Sequence, residues 1–227
     1  MNTKSRMFDI VTRTWNPVTG CHFNCVYCWA KRLAEGRLKR CLEKYRDGFK
    51  PRFHENEFRT RFRPNAFVFV CDMGDLFGPW VPSEWIERVI EYTKKFPMTW
   101  FLFQTKNPAR YFDFLDLFDK NAILGTTIET NLHFPEISKA PPPVERYKAM
   151  KDIRGFWKMV SIEPVMNFSI STLCSWIRDI KPGFVYIGYD NYNNKLPEPP
   201  LRSVLKLIDC LQQYTEVRTK TLRDEHG

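Results

Sequence analysis

Short continuous apolar runs recur along the chain, separated by longer stretches in which apolar residues return every three or four positions. The runs are Phe8–Thr14, Ala66–Cys71, Thr99–Thr105, Ala122–Glu129, Lys158–Glu163 and Phe184–Tyr189. They are rich in β-branched and aromatic residues. Phe67-Val68-Phe69-Val70 and Trp100-Phe101-Leu102-Phe103 show no polar alternation, which predicts parallel strands covered on both faces. Helical spacing fills the intervals. It predicts helices over Trp29–Tyr45, after a Ser83 cap, from Asn107-Pro108 through Phe118, over Ser169–Ile180, and from Pro199-Pro200 through Leu211. Pro141-Pro142-Pro143 predicts a turn or a short helix. Alternation of strand and helix, about six times over, means βαβ units and a parallel sheet. A closed eight-stranded barrel usually takes ~250 residues. The expected fold is therefore α/β, a partial (β/α)6 barrel of parallel strands, with a doubly wound open sheet as the alternative. Residues 1–227 read as one domain, without repeats or low-complexity tracts.

Composition narrows the class. The 227 residues are 43% hydrophobic and 27% charged, which excludes a disordered chain. No uncharged apolar stretch is long enough to read as a membrane span. Met1–Met7 has no apolar signal core, so a cytoplasmic location is expected. The formal net charge is +9, and +7 of it lies between Lys31 and Arg63, where twelve Lys/Arg meet five acids. Phe49, Phe53, Phe58 and Phe62 are interleaved with Arg52, Arg59, Arg61 and Arg63 in that stretch. Cations that hold phosphate beside aromatics that stack on bases make Arg59, Arg61 and Arg63 candidate nucleic-acid contacts. The same pattern also fits a solvated arm that packs its Phe side chains on the barrel.

The seven cysteines do not spread as a disulfide framework. Three crowd into Cys21-His22-Phe23-Asn24-Cys25-Val26-Tyr27-Cys28, a C-x3-C-x2-C spacing. Thiolates favour zinc, Cu(I) or iron–sulfur clusters. A structural zinc site wants a fourth ligand, which Cys41 or His54 would have to supply. The spacing favours a cluster held by Cys21, Cys25 and Cys28. Its position after the first strand and before a helix favours a catalytic role, because the loops after strand C-terminal ends build active sites in parallel α/β folds.

With Tyr27 before the last cysteine, the motif resembles that of the radical SAM enzymes. Thr14-Trp15-Asn16-Pro17-Val18-Thr19-Gly20-Cys21 resembles the opening of the uncharacterised phage-protein-like branch of that superfamily. So do Cys71-Asp72-Met73-Gly74-Asp75-Leu76-Phe77, Gln104-Thr105-Lys106-Asn107-Pro108, Leu124–Asn131 and Val160-Ser161-Ile162-Glu163-Pro164, in order along residues 8–190. Where the branch has Gly-Gly-Glu-Ser, this chain has Gly188-Tyr189-Asp190-Asn191. The resemblance implies a 4Fe–4S cluster on the three cysteines and S-adenosylmethionine on its open iron. Reductive cleavage would give a 5′-deoxyadenosyl radical. It further implies an oxygen-sensitive enzyme, a one-electron donor such as flavodoxin or ferredoxin, and a partial barrel.

By the same resemblance Tyr27 lies against the adenine, and Gly74 and Asp75 receive the methionine amino group. Thr105 and Lys106 would meet the cofactor carboxylate or a substrate phosphate. Glu129, Thr130 and Asn131 would bind the ribose. Glu163, at the end of an apolar strand, would serve cofactor or substrate, since an unpaired buried acid is costly. Tyr189, Asp190 and Asn191 would face substrate. Cys71 is a candidate hydrogen-atom donor, as in photoproduct-repairing radical SAM enzymes, or a small core hydrophobe. Cys41, Cys174 and Cys210 are assigned no chemistry. A nucleic acid is the leading candidate substrate, with a peptide or small metabolite as the alternative and a zinc-stapled binding module as the remote one. No membrane partner is expected, and the chain is expected to be a monomer.

Overall fold

The computed structural model describes residues 8–223, so Met1–Met7 lies outside the described residues. Nine strands are formed among the described residues: β1 (Arg13–Trp15), β2 (Val18–Thr19), β3 (Arg52–Phe53), β4 (Phe67–Val70), β5 (Trp100–Thr105), β6 (Ala122–Thr127), β7 (Trp157–Ile162), β8 (Phe184–Ile187) and β9 (Glu216–Thr219). Seven make one sheet in the order β1-β4-β5-β6-β7-β8-β9, and every pair in it is parallel. The sheet curls with β1 and β9 as its two edges. It is an open, partial (β/α) barrel of parallel strands, as expected. β2 and β3 pair antiparallel beside it.

The helices α3 (Ser83–Thr93), α4 (Pro143–Asp152), α5 (Ile170–Ile180) and α6 (Leu201–Leu211) occupy four of the predicted intervals. Two others differ. Residues 29–45 are broken into α1 (Trp29–Leu33), a π turn over Ala34–Leu38 that contains Gly36, α2 (Lys39–Cys41) and a 3-10 turn. Residues after Asn107 form two 3-10 turns, Pro108–Asp113 and Leu115–Leu117, rather than a helix. Tyr111 fixes that segment by donating its hydroxyl to the carbonyls of Phe103 and Gly125, at 2.8 and 2.9 Å.

Strand alternation explains the barrel's two environments. Val68, Val70, Phe101, Phe103, Leu124, Val160, Ile162, Val185 and Ile187 point outward into one core shared with α3, α5 and α6. The intervening Phe69, Leu102, Ile123, Met159 and Tyr186 point inward, where Phe8 and Val11 join them. The first run therefore does not extend as a strand from Phe8. Its Phe8 ring sits 4.3 Å from that of Tyr186 and plugs the barrel, and only Arg13–Trp15 pair with β4. Above this plug the inward positions turn polar, with Gln104, Thr127 and Ser161, then Lys106, Glu129 and Glu163.

The cysteines supply a further correction. Cys174 of α5 and Cys210 of α6 form a disulfide with a Cα–Cα distance of 6.5 Å. Two helix faces packed side by side bring them together, a relation hidden across a sequence separation of 36. Among the described residues, no helix is long and apolar enough to cross a membrane.

Candidate functional site

A cleft of about 1020 Å³ opens at the C-terminal ends of the parallel strands and descends into the barrel. Loops supply its walls. Gly20 takes φ +88°, and a Cβ there would lie 2.3 Å from the Lys50 backbone. Only glycine lets the cysteine loop pass so close to the chain that leads into β3. Gly20 also bridges to Gly74, which places the exit of β1 beside that of β4. Cys21, Cys25, Tyr27, Cys28, Gly74, Asp75, Thr105, Lys106, Glu163, Tyr189, Asp190 and Asn191 all line the cleft. Glu129, Thr130, Asn131, Cys71, Arg59, Arg61 and Arg63 do not.

The three cysteine side chains are engaged separately. Cys21 Sγ accepts the Phe23 N–H at 3.4 Å. Cys28 Sγ caps α1 by accepting the Lys31 N–H at 3.3 Å, and Cys25 Sγ shares a 3.0 Å hydrogen bond with the Ser138 hydroxyl. Burial pushes the thiols of Cys21 and Cys28 up, toward the protonated form. Among the described residues no group of three or more His, Cys, Asp or Glu is placed to hold a metal ion. This corrects the metal assignment of Cys21, Cys25 and Cys28. The 4Fe–4S cluster, the S-adenosylmethionine it would bind, and the metal-binding and oxygen-sensitive character fall with it. Sequence spacing brings the three residues into one loop but leaves open where their sulfurs point.

The polar residues expected around that cofactor are largely occupied with one another. Asp75 is buried, accepting the Thr105 hydroxyl at 2.6 Å and the N–H groups of Lys106 and Phe77 at 2.9 and 3.1 Å. Burial raises its pKa against these three donors. Asp75 thus ties the exit of β4 to that of β5. Glu129 is 1% exposed and bonds Tyr27, Lys106 and, at 2.7 Å, Arg146. Burial by itself would raise its pKa, but the Arg146 and Lys106 charges outweigh that and hold the carboxyl well below the usual range. Its oxygens are committed to this network, and it does not face the cleft as a free ribose acceptor. Thr130 donates to the Asn167 carbonyl at 2.5 Å, and Asn131 accepts the Ser169 N–H at 2.8 Å, so both fasten the loop after β6.

Glu163 accepts from Lys220 Nζ at 2.7 Å, with both side chains on the cleft wall. Burial raises the Glu163 pKa and Lys220 opposes it. Asp190 organises its own loop, accepting from the Asn194 N–H at 2.5 Å and the Asn194 side chain at 2.8 Å. Tyr189 donates to the Pro199 carbonyl at 2.9 Å. Cys71 is 2% exposed within the outer core, away from the cleft wall, which places it as a core side chain and not as a donor facing substrate.

The aromatic residues of the basic arm pack inward. Phe49 and Phe62 are buried, while Phe53 and Phe58 pack with Trp15, Trp85 and Tyr92. Arg59, Arg61 and Arg63 are exposed on the connection that leads into β4, and none of them lines the cleft. Sequence reasoning missed Arg146, Lys220, Asp72 and Gln104. Arg146 lay in a stretch with no clear pattern, and Lys220 follows a strand too short and polar to be recognised. Asp72 lines the cleft beneath a 2.6 Å bond from Asn16, and burial pushes its pKa up to about 6. Gln104 donates to Thr127 at 2.9 Å, leaving its other amide atom buried without a partner among the described residues.

Residues 7–177 match the family described as "Protein of unknown function (DUF5131)". No curated protein matches the sequence. The fold is similar to that of a spore photoproduct lyase mutant with dinucleoside spore photoproduct. The TM-score is 0.64 at 11% identity, over 91% of this chain and 76% of that one. Another spore photoproduct lyase structure, complexed with the same dinucleoside, gives 0.63 at 10% identity over the same shares, 91% and 76%. SuiB of Streptococcus suis, bound to the precursor peptide SuiA, gives 0.59 at 11% identity over 93% of this chain and 49% of SuiB. This chain therefore spans about half of SuiB. At these identities the likeness is one of fold.

Proposed function

The chain belongs to the DUF5131 family of proteins of unknown function, and from that membership and its radical SAM-type barrel we propose that it is an enzyme acting on nucleic acid, taking a nucleoside or dinucleoside unit into the cleft. The Thr14–Cys21 opening supports placing it in the phage-protein-like branch of the superfamily.

The observation that carries the reading is the polar layer inside the barrel. Among the described residues, Gln104 has one amide atom buried without a partner, whichever way round the amide is set. Leaving such an atom unpaired costs about 1–3 kcal/mol, and turning the amide toward the cleft would let a ligand hydrogen bond recover it. Thr127 and Ser161 add hydroxyls to the same wall. Both lysines of the wall are already paired, Lys220 with Glu163 and Lys106 with Glu129, while Asp72, Asp75 and Asp190 add carboxylates to it. Such a wall favours a neutral ligand rich in donors and acceptors over a polyphosphate. Base edges and sugar hydroxyls have that character, and the volume suits one or two nucleosides. The spore photoproduct lyase structures of the same fold hold a dinucleoside.

Titration calorimetry with thymidylyl-thymidine and adenylyl-adenosine tests this directly. Saturable binding is expected, weakened about tenfold in Gln104→Leu through loss of one buried hydrogen bond. Absence of heat from every dinucleotide at millimolar concentration, with saturable heat from a short peptide, would move the substrate to the peptide class.

A further inference from the structure

Four strands of the barrel begin with an aromatic residue: Phe67 of β4, Trp100 of β5, Trp157 of β7 and Phe184 of β8. In each strand that residue shares the inward face with the plug residue two positions on, namely Phe69, Leu102, Met159 and Tyr186. Together they ring the N-terminal mouth of the barrel. Phe67 and Phe184 pack on the plug, with ring centroids 6.5 Å apart. The two tryptophans do not close it. Trp100 is 40% exposed and Trp157 is 59% exposed. Trp157 lies against Gly183, where a Cβ would come within 2.8 Å of its ring. The absence of a side chain at Gly183 lets the indole rest on backbone with its other face turned to solvent.

The loops that enter the strands at this end carry exposed cations: Arg61 and Arg63 before β4, Lys120 before β6, Arg154 before β7 and Lys181 before β8. Asp119 and Asp152 are the acids of the same loops, so the rim is net basic. The plug lies between this rim and the cleft, whose floor reaches Phe69, and the six-residue strands set the rim about 20 Å from the strand C-terminal ends where the cleft opens. Flat rings held open to water, circled by phosphate-binding cations, match the two requirements of single-strand recognition: stacking on base faces and attraction to the backbone. We infer that the N-terminal end of the barrel is a docking surface for single-stranded nucleic acid, separate from the cleft. Of the Lys31–Arg63 arm, Arg61 and Arg63 act here.

The probe is a fluorescein-labelled fifteen-nucleotide oligothymidylate, which has no duplex to offer, followed by anisotropy and by quenching of intrinsic tryptophan emission. Binding is expected to quench emission. Trp157→Ala and Trp100→Ala are each expected to weaken it about fivefold or more, with Trp157→Phe retaining most of it. An Arg61→Ala/Arg63→Ala/Lys181→Ala variant, altered only at exposed positions, is expected to reduce the slope of log affinity against log salt by about 2. That variant decides the matter if Trp157→Ala fails to fold. Unchanged affinity and salt slope in the triple variant and in Trp100→Ala overturns the inference. So does a concentration-dependent dimer that Trp157→Ala dissolves, because the rings would then cover a second copy. Dinucleotide binding to the cleft is read separately in calorimetry, so either surface can fail without the other.

Discussion

Glu129 tests whether a carboxylate at the end of a barrel strand serves a ligand or the fold. The perturbation is Glu129→Gln, which keeps the shape and removes the charge. Glu129 and Arg146 are 1% and 3% exposed, and the Arg146 guanidinium meets Glu129 Oε2 at 2.7 Å. Arg146 also donates to the carbonyls of Thr127 and Pro141 at 2.9 and 2.7 Å, so it cannot swing out to water without abandoning both. Lys106 sits at the cleft and can rehydrate, and the stranded charge is therefore that of Arg146. Removing one partner of a buried pair costs about 3–5 kcal/mol. At about 2 °C per kcal/mol for a chain of this size, the midpoint of thermal unfolding should fall by about 6–10 °C. Urea denaturation gives the free energy directly, and the double variant Glu129→Leu/Arg146→Met should recover most of the loss, since it leaves no unpaired charge. The pH dependence has a definite sign. The carboxyl is held below its ordinary value, so its contribution is fully present above pH 4.5 and is lost as the pH falls further. A Glu129→Gln loss under about 1 kcal/mol, comparable to a surface substitution, would refute the buried network and return Glu129 to the ligand.

Peptide mapping without reductant should recover the Cys174 and Cys210 peptides joined, and Cys174→Ser should cost about 3–4 kcal/mol from the loop length alone. Free alkylation of both thiols in the unreduced protein would contradict the pairing. Lys220→Met should raise the Glu163 pKa further, since burial would then act unopposed, and carbon-13 carboxyl shifts followed against pH would read the change. A Glu163 titration identical to that of the parent would separate the two side chains. His54, beside Thr19 at 2.8 Å, is pushed down to about 4 by burial and by Lys44 and Arg52. It stays neutral when folded, so its contribution to stability should rise with pH between about 4 and 6.5, and that rise should vanish in His54→Gln. Equal pH profiles for the two proteins would show that the ring is solvated.

Six of the seven parallel strands were legible in the chain because burial on both faces of a strand demands continuous apolar runs, such as Phe67–Val70 and Trp100–Phe103. The open barrel followed from their alternation with helices. β9 was not legible, since Glu216-Val217-Arg218-Thr219 is a short edge strand with only one partner to satisfy. Phe8 and Val11 looked like a strand because plugging a barrel and pairing in a sheet call for the same side chains. The loop positions that line the cleft were also readable, as residues just beyond strand ends. What each of them does there was decided by contacts that join distant segments. Glu129 answers to Arg146, Asp75 to Thr105, Glu163 to Lys220, and Cys174 to Cys210. Even the cysteine loop, local in sequence, took its side-chain directions from Ser138 and from the start of α1. Spacing along a chain records which residues share a loop or a face. The hydrogen bonds and charges that fix their roles belong to elements that meet only when the sheet curls.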